Sequence, residues 1–440
     1  MKQYKYHITT IGCQMNISDS ERIAGYLEIH GFKMCVKKEE ADLLVFTTCG
    51  VRESAESRIY GLIPRMKKKH PHVVTVLTGC LSKRADVNQR IADSVDIWLD
   101  IENLPKFSKS LQNFFPIQTV DIAVENYLNL PAKYKSDFSA AVPIGNGCNN
   151  FCTYCVVPYA RGREVYRPAD EIIAEAYKLV GTGYKEINLI AQNVNSYNYN
   201  NKYFYDILKA VDDIPGDFWI RFSTSHPKDM SNKLIDVIAS GKKICRHVHL
   251  PVQAGDDEIL SRMNRKYSVA HYFNLVKKIR QHMANKSRAW HPPVAISTDV
   301  IIGFPGESEE QFENTANFFR EARFDMAYLS QYSPRPGTVA AKYTDDVTVD
   351  EKRRREDALN NILSETARQN NQEYLGKTVR ILIDEKNKKG EFFGKTEANK
   401  TVGVRSSKTE LKVGEFVDVK IVKVKDFGMD AEFLETNGNS

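Results

Sequence analysis

Twice along this 440-residue chain, short apolar runs alternate with polar stretches long enough to form helices. YKYHITTI, ADLLVFTT and VVTVLT read as buried strands, with helices between them at 18–29 and 52–69 and a further strand at 95–99. Strand–helix–strand units of this kind close into an α/β domain with a parallel sheet, here residues 1–125. The aperiodic stretch 107–137 separates it from a second series, AAVPIG, EINLIAQ, FWIRFST, HVHLPVQ, AISTDVIIGF and AYLSQYS. Its helices are expected at 169–181, 256–263, 269–283 and 309–322, the last opened by a Ser308/Gln311 capping box. Six alternations predict a partial (β/α)6 barrel at 134–371, since closure into eight takes about 250 residues; ligands belong at its C-terminal rim.

After Pro336 a charged helix is expected at 350–374, its Arg353–Arg355 run read as a solvated face. KTVRILIDEK, GEFFGKTEA, KTVGVRS, EFVDVKIVKVK and MDAEFLE then predict a small antiparallel β-barrel at 372–437, followed by a loose tail at 437–440. From Glu373 onward 13 basic residues face 12 acidic ones, so any affinity of this barrel for RNA must come from local patches.

The chain has eight cysteines. The start, MKQYKYHITTIG, lacks a secretory pattern, and no apolar run approaches the roughly 20 residues of a membrane helix, so a cytoplasmic, membrane-free protein is expected. Disulfides are then disfavoured and ligation or catalysis is the first reading. The net charge of +6 permits an anionic partner without identifying one.

Cys148, Cys152 and Cys155 lie in GCNNFCTYC, directly after the strand AAVPIG. This C-x3-C-x2-C loop gathers three soft thiolates, suited to zinc or to an iron–sulfur cluster. A four-iron cluster on three cysteines leaves one iron free for a reactant. The other readings are a zinc site completed by a distant histidine, or cysteines that merely pack. Cys13, Cys49 and Cys80 each end one of the first three strands, and a parallel sheet brings those ends to one edge. They form a candidate second cluster site, set against the ordinary occurrence of buried cysteines in α/β sheets. Cys35 and Cys245 read as structural, and His226, His247 and His249 as packing histidines rather than metal ligands.

GCNNFCTYCVVPYARG resembles the cluster loop of the radical-SAM superfamily. TIGCQMNISDSE, FTTCGVRESAE, LTGC, INLIAQNVNSY, STSHP, HLPVQAG, DVIIGFPGE and YSPRPGTVAA are similar to the methylthiotransferase family, nearly end to end. Within it, GCQMN, STSHP and YSPRPGT most resemble the type acting on isopentenylated adenosine beside the tRNA anticodon. Ala254 and Asp256 depart from the LPVQSGS serines, and Ala160 from a threonine.

The resemblance implies a methylthiotransferase domain, a radical-SAM barrel and a C-terminal TRAM domain. It also implies two 4Fe-4S clusters, on Cys148/Cys152/Cys155 and on Cys13/Cys49/Cys80, with two molecules of S-adenosyl-L-methionine (SAM). The first cluster would cleave SAM to a 5′-deoxyadenosyl radical that removes hydrogen from C2 of the adenine, and the second would present the sulfur. No polar acid/base pair is expected, because radical chemistry belongs to the cofactor and placement to the protein.

Candidate SAM contacts are Tyr154, Gln192, Ser223, Gln253, Gly303, Phe304 and Glu307. Candidate phosphate or substrate contacts are Arg161, Arg163, Arg167 and Arg335, with interdomain salt bridges as their other reading. Expected partners are the tRNA anticodon stem-loop, an electron donor and a sulfur donor, acting with a monomeric enzyme. The same chemistry on a ribosomal-protein aspartate or on threonylcarbamoyl-adenosine, or a non-catalytic iron–sulfur RNA-binding protein, are the alternatives.

Overall fold

The computed structural model describes residues 3–434 apart from 52, 119, 121, 123, 125, 285–291 and 406–410. Arg52, expected to open a helix, and the tail 437–440 lie outside the described residues. The N-terminal sheet contains β1 (Lys5–Ile11), β2 (Lys33–Met34), β3 (Leu43–Thr48), β4 (Val74–Gly79) and β5 (Ile97–Leu99). All pairings are parallel, in the order β2-β1-β3-β4-β5. β3 and β4 are buried throughout because they are covered on both faces: Leu43 and Val45 join one core cluster, Leu44 and Phe46 the other.

Helix Gln14–Ile29 has little amphipathic pattern, and its burial explains why. It packs between this sheet and the first barrel strand, and Asn16, Asp19, Glu21 and Arg22 are buried beside Ile23 and Leu27. The aperiodic segment is not a free linker. Tyr127, Leu128 and Leu130 are buried in the N-terminal core, and the five-residue helix Phe107–Leu111 is too short to declare a period.

The central barrel contributes β6 (Ser139–Pro143), β7 (Glu186–Ile190), β8 (Trp219–Ser223), β9 (His247–His249), β10 (Ala295–Ile302) and β11 (Met326–Gln331). β6-β7-β8 and β9-β10-β11 are parallel sets joined by a parallel bridge from Ile220 to Ile244. Ile187, Leu189, Ile220, Phe222, Val248 and Ile296 pack with the helices in the largest core. The alternate residues Glu186, Asn188, Arg221, Ser223 and His247 turn away and line a 220 Å³ cavity instead. Ser308 caps helix Glu309–Ala322 with Gln311 as the reciprocal partner, as the pattern predicts. Asp256 caps helix Asp257–Arg262 by accepting from the Glu258 and Ile259 amides, so a carboxylate serves there where a serine hydroxyl would.

β12 (Thr378–Lys386), β13 (Phe392–Thr396), β14 (Thr401–Arg405), β15 (Phe416–Lys425) and β16 (Gly428–Phe433) close a barrel in the order β12-β13-β14-β16-β15. One pairing is parallel, β14 with β16, because the last hairpin returns alongside β14. This barrel is docked against the central one. Arg221 donates to the Thr396 carbonyl at 2.9 Å and the Glu397 carbonyl at 3.3 Å; Lys400 reaches Asp325 and Asn371, each at 2.6 Å. Trp219, Cys245 and Leu382 form an apolar contact beside them.

Candidate active site

Register brings the first three cysteines to one edge. Ile11, Thr48 and Gly79 are paired across β1, β3 and β4. Cys49 and Cys80 follow the last two directly and Cys13 stands two residues beyond Ile11, with adjacent strands about 4.8 Å apart. Gly79 is needed for this approach: it has φ +89°, and a Cβ would lie 2.4 Å from the Thr48 carbonyl oxygen. Asn16 closes the first turn of the following helix on Cys13, its Oδ1 3.4 Å from the sulfur and its Nδ2 donating to the Thr48 carbonyl.

The second triplet lies on the loop after β6. Asn264 pins this loop by donating to the carbonyls of Asn150 and Phe151. Each sulfur has an N–H donor aimed at it: Asn150 Nδ2 to Cys148, Arg265 Nη1 to Cys152 and the Val157 amide to Cys155, all at 3.4 Å. Burial pushes the Cys148 thiol up and the Cys155 thiol well up, and the charges of Cys152, Cys148 and Cys80 add to the rise at Cys155. Cys80 thus acts across from the other triplet. Bare thiolates are costly here, and a bound cationic metal would supply the missing positive charge.

Arg161, which follows the second loop on helix Val157–Arg161, reaches across to the first triplet. Its Nε donates to Cys80 Sγ at 3.2 Å, Nη1 to Asn146 Oδ1 at 2.9 Å and Nη2 to Asp19 Oδ2 at 2.6 Å. The Arg161 and Asp19 side chains are 2% and 1% exposed, which makes this a buried cation between two domains.

All eight cysteines are free. Among the described residues no group of three His, Cys, Asp or Glu side chains meets closely enough to hold one metal ion. Zinc holds each thiolate at about 2.3 Å in a tight shell, whereas a four-iron cluster spreads its cysteines over separate irons. The donor set of each site, three thiols with N–H donors on their sulfurs, has the chemistry that suits such a cluster. Buried acceptors fit a further polar ligand at the barrel rim: Gln192 Oε1, Asn193 Oδ1 and Ser225 Oγ have no hydrogen-bond partner.

Residues 5–100 match the Uncharacterized protein family UPF0004, 142–319 the Radical SAM superfamily and 372–434 the TRAM domain. The tRNA-2-methylthio-N(6)-dimethylallyladenosine synthase of Alkaliphilus oremlandii is 40% identical over 99% of this chain and 93% of its own. The protein of the same name from Thermoanaerobacter pseudethanolicus is 41% identical at the same coverage. The chain belongs to the tRNA-2-methylthio-N(6)-dimethylallyladenosine synthase family. It is a radical-SAM enzyme of the tRNA methylthiotransferase class. Among solved structures, the radical SAM methyltransferase TsrM of Kitasatospora setae shares the fold with TM-score 0.55 at 13% identity, covering 77% of each chain. The radical enzyme OxsB does so at 0.53 and 10% identity, covering 82% of this chain and 56% of its own.

In this synthase-family chain the sequence-nominated contacts divide. Tyr154 packs with Phe304, Met263 and Tyr332, and Gln253 sits at φ +74° with its amide on the Asp299 carbonyl. Ser223 lines the 220 Å³ cavity. The 303–307 loop is occupied by the chain itself. Gly303 faces the aliphatic stem of Lys352, and Glu307 accepts from the Gly303 amide and pairs with Arg355 at 2.9 Å.

Arg161 and Arg167 point inward: Arg161 makes an interdomain ion pair with Asp19, whereas Arg167 pairs with Glu175 within the barrel and bonds to Asn129 and the Pro143 carbonyl. Arg335 lies 3.9 Å from Glu56. Arg163 alone of the four is exposed, its guanidinium 4.3 Å over the Phe151 ring. Arg354 and Arg355 pair with Glu309 and Glu351, and Arg353 with Asp350. His247 and His249 share the Ser297 hydroxyl at 2.8 Å, and His226 accepts from the Lys228 amide, its pKa pushed down to about 2 by burial. Cys35 donates to the Tyr6 carbonyl, and the Cys245 thiol is pushed up to about 12 by burial. Sequence reasoning missed Arg265, Asn264, Asn16, Asp19 and Ser225. Only Asn16 carried a local signal, as the third residue after a cysteine that opens a helix.

Proposed function

We propose that this chain converts N6-isopentenyladenosine next to the tRNA anticodon into its 2-methylthio derivative, using two 4Fe-4S clusters and two molecules of SAM. Cys148, Cys152 and Cys155 hold the SAM-cleaving cluster; Cys13, Cys49 and Cys80 hold the cluster that carries the sulfur. The observation that supports this most directly is that Arg161, on the helix that leaves the Cys148/Cys152/Cys155 loop, donates to the sulfur of Cys80 in the other triplet. When bound, the clusters and SAM supply the one-electron chemistry that removes hydrogen from C2, a position with no acidity for a base to use.

The chain's own residues orient and exclude. Asn150, Arg265 and the Val157 amide direct the sulfurs of one loop; Gln192, Asn193 and Ser225 offer polar atoms to SAM at the rim. The target must be an unstacked loop base, since a duplex interior hides C2. We assign the division of labour to bodies spanning 1–125, 134–371 and 372–437, in a cytoplasmic monomer served by separate electron and sulfur donors.

The test incubates the anaerobically reconstituted enzyme, SAM, reductant and sulfide with isopentenylated tRNA or with ribosomes, followed by mass spectrometry of both. Methylthiolation of the tRNA adenosine is expected; modification of a ribosomal protein instead, or of neither, rejects the assignment. For RNA contact, Arg163→Ala should leave SAM cleavage intact and weaken tRNA binding. Its plot of log affinity against log salt should be shallower by about 0.7–0.9, the share of one phosphate contact. An unchanged slope removes Arg163 from the interface.

A further inference from the structure

Arg161 contacts more than a domain junction requires. Its Nη2 makes the ion pair with Asp19 and its Nη1 bonds to Asn146, which already fixes the side chain between the helix Gln14–Ile29 and the barrel. The third donor, Nε, goes to the sulfur of Cys80 at 3.2 Å, inside a site where that sulfur is 4% exposed with its residue and out of reach of bulk water. Arg161 donates a charged N–H to a sulfur of the Cys13/Cys49/Cys80 triplet, and Arg265 does the same to Cys152 of the other.

We infer that Arg161 is a positioning residue that sets the reduction potential of the cluster on Cys13, Cys49 and Cys80, through its hydrogen bond to Cys80. The inference rests on the ligand assignment of the preceding section and extends it to a residue outside both triplets. The physical direction is fixed. Reduction adds one negative charge to the cluster and its thiolates, and a buried guanidinium with an N–H on one sulfur stabilises that added charge, so it raises the potential. Because Asp19 is paired on the other side of the guanidinium, the arginine cannot swing away to solvent. Its geometry toward Cys80 is thereby maintained by a residue of the same domain that carries Cys80.

The measurement uses the full chain with Cys148, Cys152 and Cys155 all replaced by alanine, so that one cluster remains, reconstituted anaerobically with iron and sulfide. Redox titration followed by EPR gives its midpoint potential in this parent and in the Arg161→Gln, Arg161→Lys and Arg265→Gln versions. Arg161→Gln is expected to shift the midpoint to more negative values at unchanged iron content. Arg161→Lys, which keeps the charge but not the Nε donor, should shift it less, and Arg265→Gln should not shift it.

A cluster-loaded Arg161→Gln protein with the parent's potential overturns the inference. Should that variant fail to fold, the parent labelled with 15N-arginine decides. Pulsed EPR of the reduced cluster should detect a coupled guanidinium nitrogen, and its absence overturns the inference. A parent that binds no iron and sulfide rejects the ligand assignment itself, an outcome distinct from either.

Discussion

The enzyme carrying Cys152→Ala should release no 5′-deoxyadenosine from SAM above background, and Cys148→Ala and Cys155→Ala should behave alike. Three cysteines on one short loop supply one ligand to each of three irons, so the loss of any one leaves an iron of the cluster without its protein ligand. The Arg265 guanidinium directed at Cys152 would then face a methyl group. Cys13→Ala, Cys49→Ala and Cys80→Ala should instead retain SAM cleavage and form no methylthiolated tRNA, because those residues belong to a separate sheet edge in another domain. Quantifying 5′-deoxyadenosine and methylthiolated nucleoside in the same reaction separates the two effects. Methylthiolated product from the Cys49→Ala enzyme contradicts the division of roles, and about eight irons per wild-type chain is its compositional counterpart.

The second large effect concerns stability. Asp19→Ala should destabilise the fold by roughly 3–5 kcal/mol, the usual cost of leaving one partner of a buried ion pair uncompensated. Asp19 is 1% exposed, receives Arg161 at 2.6 Å and also accepts from the Tyr127 hydroxyl at 3.2 Å, so its removal strands a cation and a phenol together. The denaturant midpoint of the transition that unfolds the N-terminal sheet reports the loss. Asp19→Asn, which keeps an oxygen acceptor, should recover part of it. A midpoint unmoved in Asp19→Ala means that water reaches Arg161 and that the junction is looser than its burial indicates.

The longer strands and the placement of Cys13, Cys49 and Cys80 beyond strand ends were legible because their signal is local. A buried parallel strand shows as an unbroken apolar run, and a cysteine directly after such a run is carried to the sheet's C-terminal edge by topology. Side-chain direction is not local. Arg161 and Arg163 stand two residues apart, yet one is buried against Asp19, 142 positions away, and the other lies exposed over Phe151. Nothing adjacent to either encodes the difference.

The 303–307 loop reads as a cofactor cradle from its glycines alone, and the occupant of the close approach at Gly303 is Lys352, 49 positions away on helix Val349–Gln372. Arg265 gave no local sign, since its partner Cys152 lies 113 positions earlier. The two-residue β2 is below the length at which periodicity exists, and the parallel β14–β16 pair depends on where a hairpin returns rather than on strand composition.

Arg221 and Lys400 bolt the C-terminal barrel onto the central one from both directions, each partner lending a cation to the other's backbone or side chains. An RNA gripped by that barrel would accordingly be measured against a ruler. With RNA held there, the span from grip to barrel mouth would be set by this docking, and a nucleotide would be presented by its distance from the held segment before any base is inspected.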